Sequence, residues 1–229
     1  MKLKQNQAIA GLVGLLVVVV LYLFLRTPSE YAQHLDSKQD GLRMLAEFLS
    51  KELPGENVLV ISNPFVLRPD ASDKIKDHDT AGFEGLKSGF PQGIQLEKVY
   101  PEISEAYQRN PAAVYIPPNS STPLSFLVEG PSFDALADAH PNHKIMVSLI
   151  GLPAGVKKLK VWKNDHPARF AFLRPDFRIL GSRSELIGQF ESGKILAALI
   201  DDKTTGSPLV VTKSNIQDVL KEQPKSLGF

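Results

Sequence analysis

No cysteine occurs anywhere in the 229 residues. Its absence excludes a disulfide framework, a thiolate zinc site and thiol-based catalysis. An excess of charge of either sign is also lacking. The 26 basic and 25 acidic side chains leave a formal net charge of +1. No basic tract breaks that balance, so the electrostatic footprint of nucleic-acid binding is missing. Glycine loops that cradle phosphate are absent, since neither G-x-G-x-x-G nor G-x-x-x-x-G-K-[ST] appears. The G-x-S-x-G elbow of serine hydrolases is absent too, and Gly181-Ser182-Arg183-Ser184 has the wrong spacing for it. The 17 prolines and 16 glycines are spread along the chain, so nothing reads as a long disordered linker.

Long hydrophobic runs are lacking with one exception. Ala8–Leu25, AIAGLVGLLVVVVLYLFL, holds eighteen consecutive residues without a charge. As a helix it would span roughly 27 Å, close to the thickness of a hydrocarbon core. Lys2 and Lys4 precede it and Arg26 follows, so residues 1–7 are expected on the cytoplasmic side. Phe24-Leu25-Arg26 lacks the small residues of a signal-peptidase site, which favours an uncleaved anchor. The expected organisation is a cytoplasmic tail (1–7), a transmembrane anchor (8–25), a juxtamembrane linker (26–36) and an extracytoplasmic domain (37–229). A cysteine-free domain of this kind suits the bacterial inner membrane, facing outward.

Beyond the anchor, strand-like runs alternate with helical ones. Ser37-x-x-Asp40 can cap a helix whose apolar positions are Leu42, Leu45, Ala46, Leu49 and Leu53, ended by Pro54-Gly55. Asn57–Ser62 is a continuous run suited to a buried parallel strand. Residues 63–80 read as a long polar loop and Ala81–Phe90 as a short helix. Ile94–Val99, Ala112–Ile116, Lys144–Ile150, Arg169–Leu173, Phe177–Leu180, Ile195–Ile200 and Leu209–Thr212 read as further strands. Helices are expected at Pro101–Asn110, Ser132–Ala139, Ser184–Ser192 and Asn215–Lys221. This alternation predicts an α/β domain: a mostly parallel sheet with helices on both faces, Rossmann-like or flavodoxin-like. Ligands in such sheets bind beyond the carboxyl ends of the strands. The loops to watch are therefore 63–80, 117–122, 151–155 and 201–207.

Gly41–Gly89, with DGLRMLAEFLSKEL, ENVLVIS and GFEGLKSGF, and Glu185–Asp202, ELIGQFESGKILAALIDD, together resemble one lobe of the type-1, sugar-binding kind of periplasmic substrate-binding proteins. The resemblance implies that fold and an envelope location. It places the family's ligand-binding polar residue after the last strand on Asp201. Where the family has an arginine before the Gly-Phe helix, this chain has Asp79. Where the family has an aspartate, it has Arg183.

Four residues at strand ends are the candidate ligand-binding set: Asn63, Asn119, Asp201 and Asp202. Small amides and carboxylates there can hydrogen-bond a polar ligand, although the same residues are ordinary turn formers. The acidic stretch Asp70, Asp73, Asp77, His78 and Asp79 does not follow the spacing of a calcium loop and reads as a solvated loop. His140-x-x-His143 reads as two surface histidines in a turn, because Pro141 interrupts any helix there and no third ligand is legible. Gly82, Gly85 and Gly89 fall within a helix and suggest close helix packing. No metal, cofactor or catalytic set is expected. The expected role is recognition of a small polar ligand or an envelope partner. A structural subunit of an envelope assembly and a carboxylate- or metal-dependent hydrolase are the alternatives.

Overall fold

The computed structural model of the chain describes residues 29–229. The apolar run Ala8–Leu25 lies outside the described residues. Among those described, no helix is long and apolar enough to cross a membrane. The chain divides between Asp36 and Ser37, and the second unit, Ser37–Phe229, carries the sheet. Of the first unit, residues 29–36 are described, and 30–36 form the opening of helix α1 (Glu30–Glu52). The helix thus starts ahead of Ser37, inside the stretch expected as a linker. The Ser29 hydroxyl accepts from the Ala32 amide at 3.2 Å, and Glu30 sits favourably in the first turn.

Six strands form one sheet in the order β2-β1-β3-β4-β5-β6. They are β1 (Asn57–Ile61), β2 (Leu96–Val99), β3 (His143–Ser148), β4 (Arg169–Leu173), β5 (Ile195–Asp201) and β6 (Pro208–Thr212). The first five run parallel, and β6 joins β5 antiparallel through a short turn at 202–207. The chain moves outward from β1 to β2, then crosses back to β3 on the other side of β1. The carboxyl ends of β1 and β3 therefore flank the point where the winding reverses, the usual place for a ligand crevice.

Helices cover both faces. On one lie α1 and α2 (Asp73–Gly89), packed over Val58, Val60, Ile145, Val147, Ala171 and Ala197. Leu42, Leu45 and Leu49 of α1 are fully buried there, each contributing about 2 kcal/mol of burial. The other face meets α4 (Ser132–Ala139), α5 (Arg183–Glu191) and α6 (Ile216–Glu222) through Phe133, Leu186, Phe190, Ile216 and Val219. The strand alternation accounts for this division, with Leu59, Ile61, Met146, Phe170 and Phe172 pointing to the second face. A short helix, α3 (Glu105–Arg109), lies between β2 and α4.

Several local expectations are corrected. Ala112–Ile116 is not a strand: Pro111–Ala113 is a 3-10 turn capped by Asn110, and the segment pairs with nothing in the sheet. Tyr115, at 75 % exposure, shows why, since its apolar residues find no core to enter. Phe177–Leu180 is likewise a 3-10 turn, held by Asp176 accepting from the Arg178 amide. The expected loop 63–80 is mostly helical. It contains a turn at Pro64–Leu67 and the first half of α2, which begins at Asp73. Consequently Asp73, Asp77, His78 and Asp79 stand on a helix, and Asp79 is buried rather than solvated.

The three α2 glycines have the packing role expected of them. A Cβ at Gly85 would lie 2.5 Å from the Gln39 carbonyl oxygen, and one at Gly89 would collide with the Arg43 carbonyl and stand 2.8 Å from Ala46 Cβ. Helices α1 and α2 thus approach backbone to backbone, which only glycine permits.

Candidate functional site

At the carboxyl end of β1 the chain reads Ser62-Asn63-Pro64-Phe65. Ser62 is fully buried and its amide donates to the Val99 carbonyl of β2 at 2.9 Å. Its hydroxyl donates to Asp79 Oδ1. Asp79 Oδ2 receives Lys98 Nζ at 2.9 Å, and that ammonium also stands 4.9 Å above the Phe83 ring. Both oxygens of a 7 %-exposed carboxylate are therefore engaged. Burial draws the Lys98 ammonium toward neutrality, but the hydrogen bond and charge of Asp79 outweigh it and hold the lysine above its ordinary range. This buried pair ties α2 to the edge strand β2.

Asn63 caps the following turn, its side-chain oxygen accepting from the Phe65 amide at 3.0 Å. That turn brings the Phe65 ring edge-on to Tyr107 of α3, with centroids 5.4 Å apart. Between them and the start of α2 opens a cleft of about 470 Å³. Its walls are largely apolar: Phe65, Ile75, Leu124, Leu127 and Leu149. Its polar groups come from Lys38, Ser62, Asn63, Lys74, His78 and Asp79. Leu149 follows β3, and its amide donates to the Ile61 carbonyl at 2.9 Å, so the cleft sits at the β1/β3 reversal.

Lys38 is the distinctive group. Its ammonium donates to the His78 carbonyl at 2.7 Å. Burial lowers its pKa to about 8; Asp79 opposes the shift and Arg174 adds to it. Arg174 follows β4 with φ 45, one of two non-glycine residues in the left-handed region among those described. Its amide donates to the Leu199 carbonyl and its guanidinium to Asp201 Oδ1, each at 2.7 Å. The carboxyl edge thus carries cationic side chains whose available carboxylates are already paired.

The sequence-derived candidates are distributed around this edge. Asn63 lines the cleft. Asp201 ends β5 and is paired to Arg174. Asp202 shapes the β5–β6 turn: its Oδ1 accepts from the Thr204 amide at 2.8 Å, and this bond holds its carboxyl below the usual range. Asn119, with φ 60, is exposed in the 117–122 loop, which Arg178 reaches at the Pro118 carbonyl. The cleft unites Asn63 with Lys38, which belongs to no motif, and with His78 and Asp79, which in sequence read as part of a solvated loop. A signal for Lys38 and Asp79 existed. Lys38 shares an i, i+4, i+7, i+11 row with Leu42, Leu45 and Leu49, and Asp79 shares an i, i+3, i+7 row with Gly82 and Leu86. A charge on an apolar stripe marks a buried polar contact.

No protein-family model matches the sequence, and no curated protein does. Solved structures of similar fold are found. One is a carbohydrate transporter from Acidothermus cellulolyticus in complex with myo-inositol, 14% identical, covering 84% of this chain and 62% of that one at a TM-score of 0.48. A second is a periplasmic solute-binding protein of an ABC transporter from Actinobacillus succinogenes with bound D-allose, 11% identical, with 80% and 61% covered and a TM-score of 0.49. A third is an arabinose-binding protein from Geobacillus stearothermophilus, 12% identical, with 79% and 62% covered and a TM-score of 0.47. The chain is similar in part to periplasmic sugar-binding proteins. It spans about 60% of the length of these chains.

Proposed function

We propose that this domain recognises a small ligand in the cleft at the β1/β3 reversal, and that the ligand carries an anionic head on an apolar body. One observation carries the reading. The cleft is lined mainly by hydrocarbon, yet a half-buried lysine with a depressed pKa stands in it, close to a second cation and without a carboxylate bonded to its own nitrogen. A ligand carboxylate beside Lys38 would supply the missing countercharge, and Phe65, Ile75, Leu124 and Tyr107 would cover its carbon skeleton. Asn63 and His78 border the same space. In this proposal Asp201 acts indirectly, through Arg174, while Asn119 and Asp202 belong to the surrounding rim.

A thermal-shift panel tests the reading. Small aliphatic and aromatic monocarboxylates should raise the melting temperature of the full chain by several degrees, and neutral monosaccharides should not. Lys38→Met should keep the fold, since it removes a buried charge of similar shape, and should lose the carboxylate effect by at least tenfold in concentration. Stabilisation by neutral sugars alone, or carboxylate binding unchanged in the variant, would contradict it.

The address belongs to the same proposal. Ala8–Leu25 anchors the chain in a bacterial inner membrane, with residues 37–229 outside the cytoplasm, supported by the run's length and the two lysines ahead of it. Protease added to intact spheroplasts should digest the domain. Protection until the membrane is broken would reverse the orientation.

A further inference from the structure

At the opposite, amino-terminal end of the sheet, Glu97, His140 and His143 converge. Glu97 lies on β2, facing away from the neighbouring Lys98 side chain because strand residues alternate. His143 opens β3, and His140 ends α4. The two histidines are joined by a tight turn, with the His143 amide donating to the His140 carbonyl at 3.0 Å and Pro141 in its second position. Pro141, which rules out a helical arrangement of the pair, is here the residue that sets the turn. The rings stand 5.8 Å apart between centroids.

One donor atom from each of the three residues lies within 4.8 Å of the others. Glu97 Oε2 is 3.0 Å from His140 Nδ1 and 3.6 Å from His143 Nε2. Two ligands of one tetrahedral zinc ion, each about 2.0–2.1 Å from the metal, stand roughly 3.4 Å apart. The two measured separations bracket that value. An independent observation points the same way. The His143 side chain is only 8 % exposed, and neither of its ring nitrogens has a hydrogen-bond partner among the described residues. The 3.6 Å approach to Glu97 is too long to count as one. Folded proteins rarely leave a buried polar ring unpaired.

We infer that Glu97, His140 and His143 bind one divalent transition-metal ion of the zinc class. Two imidazoles and a carboxylate suit zinc, cobalt or nickel and do not suit magnesium or calcium, which take oxygen ligands. The ion clips the edge strand β2, whose only strand partner in the sheet is β1, to the α4–β3 turn. Its fourth position takes water at the surface, where Glu97 is exposed. The site is independent of the cleft, which lies at the other end of the strands.

The test is titration of the chelator-treated full chain with zinc chloride, followed by calorimetry and thermal shift, with cobalt absorption as a spectroscopic readout. One equivalent should bind with micromolar or tighter affinity and raise the melting temperature, and magnesium should do neither. His140→Asn and Glu97→Gln alter side chains near the surface and should each weaken binding at least tenfold without unfolding the chain. His143→Ala, although it opens the core, should abolish the tetrahedral cobalt spectrum. Absence of saturable zinc binding would overturn the inference. So would binding that survives both surface variants, which would place the metal on His34, His78 or His166.

Discussion

Lys194→Met is expected to destabilise the domain by about 3 kcal/mol or more, enough to consume a large share of a typical domain's stability. Lys194 is 1 % exposed and stands just before β5. Its ammonium donates to three carbonyls, those of Val161, His166 and Ala168, at 3.1, 3.0 and 2.9 Å. Methionine fills the same volume but leaves those three oxygens without that donor, and buried acceptors cost most when a partner is removed. The segment 161–168 includes Trp162, whose ring packs against Phe170 at 5.4 Å, so loosening it opens the core. The effect also has a pH signature. Burial lowers the Lys194 pKa to about 8, with Arg169 adding to the shift and Asp165 opposing it. The unfolded chain, with an ordinary lysine value near 10.5, binds more protons between those two pH values. Wild-type stability therefore gains from this group as pH rises from about 8 toward 10.5, and the gap to the methionine variant widens over that window. Chemical denaturation of both proteins at pH 7 and pH 10 checks magnitude and sign. A gap below 1 kcal/mol, or one that narrows with rising pH, would contradict the assignment.

Gly85→Ala should cost about 2 kcal/mol despite alanine's better helix propensity. The propensity gain is about 1 kcal/mol. Against it stands a methyl placed 2.5 Å from the Gln39 carbonyl oxygen, a backbone atom that cannot swing aside. The two helices must separate, and overpacking of this kind costs about 1–3 kcal/mol or more. Gly89→Ala meets the Arg43 carbonyl and Ala46 and should behave alike. Gly188 in α5 is the control, because a Cβ there meets nothing within 4 Å. Gly188→Ala should stabilise by about 0.5–1 kcal/mol. Denaturation midpoints of the three variants should therefore move in opposite directions. A stabilised Gly85→Ala would mean that α1 and α2 are not in backbone contact.

These glycines show what was legible beforehand and why. Their spacing on a helical stripe announces close approach, and the structure places them against α1. The buried strands β1, β3 and β5 were equally legible, as continuous apolar runs bounded by turn residues. Parallel pairing followed from the helices between them. The boundaries of α2 were not legible, because its first two turns carry five acidic or basic residues at 73, 74, 76, 77 and 79 that mimic a polar loop. The Ala112–Ile116 segment failed for the converse reason, an apolar composition without a neighbouring strand to pair. At the site, Asn63 was recognisable as a strand-end amide. Lys38 was legible only as a charge on the apolar stripe of α1, since nothing in sequence shows that α1 passes over the end of β1. The histidine pair was visible as H-x-x-H. Its third partner, Glu97, comes from a strand 43 residues from His140 and only the sheet order brings it near.

The central claim is that Lys38 awaits an anion in the cleft, and its own titration tests this most directly. In the full chain with isotopically labelled lysine, NMR should find two ammonium groups titrating near pH 8, those of Lys38 and Lys194, with the Lys38 signal assigned by its disappearance in Lys38→Met. Saturation with a carboxylate that scores in the thermal panel should move that titration upward, because a bound anion favours the charged lysine. A Lys38 that titrates near its ordinary value of 10.5 and does not respond to any such carboxylate would contradict the account.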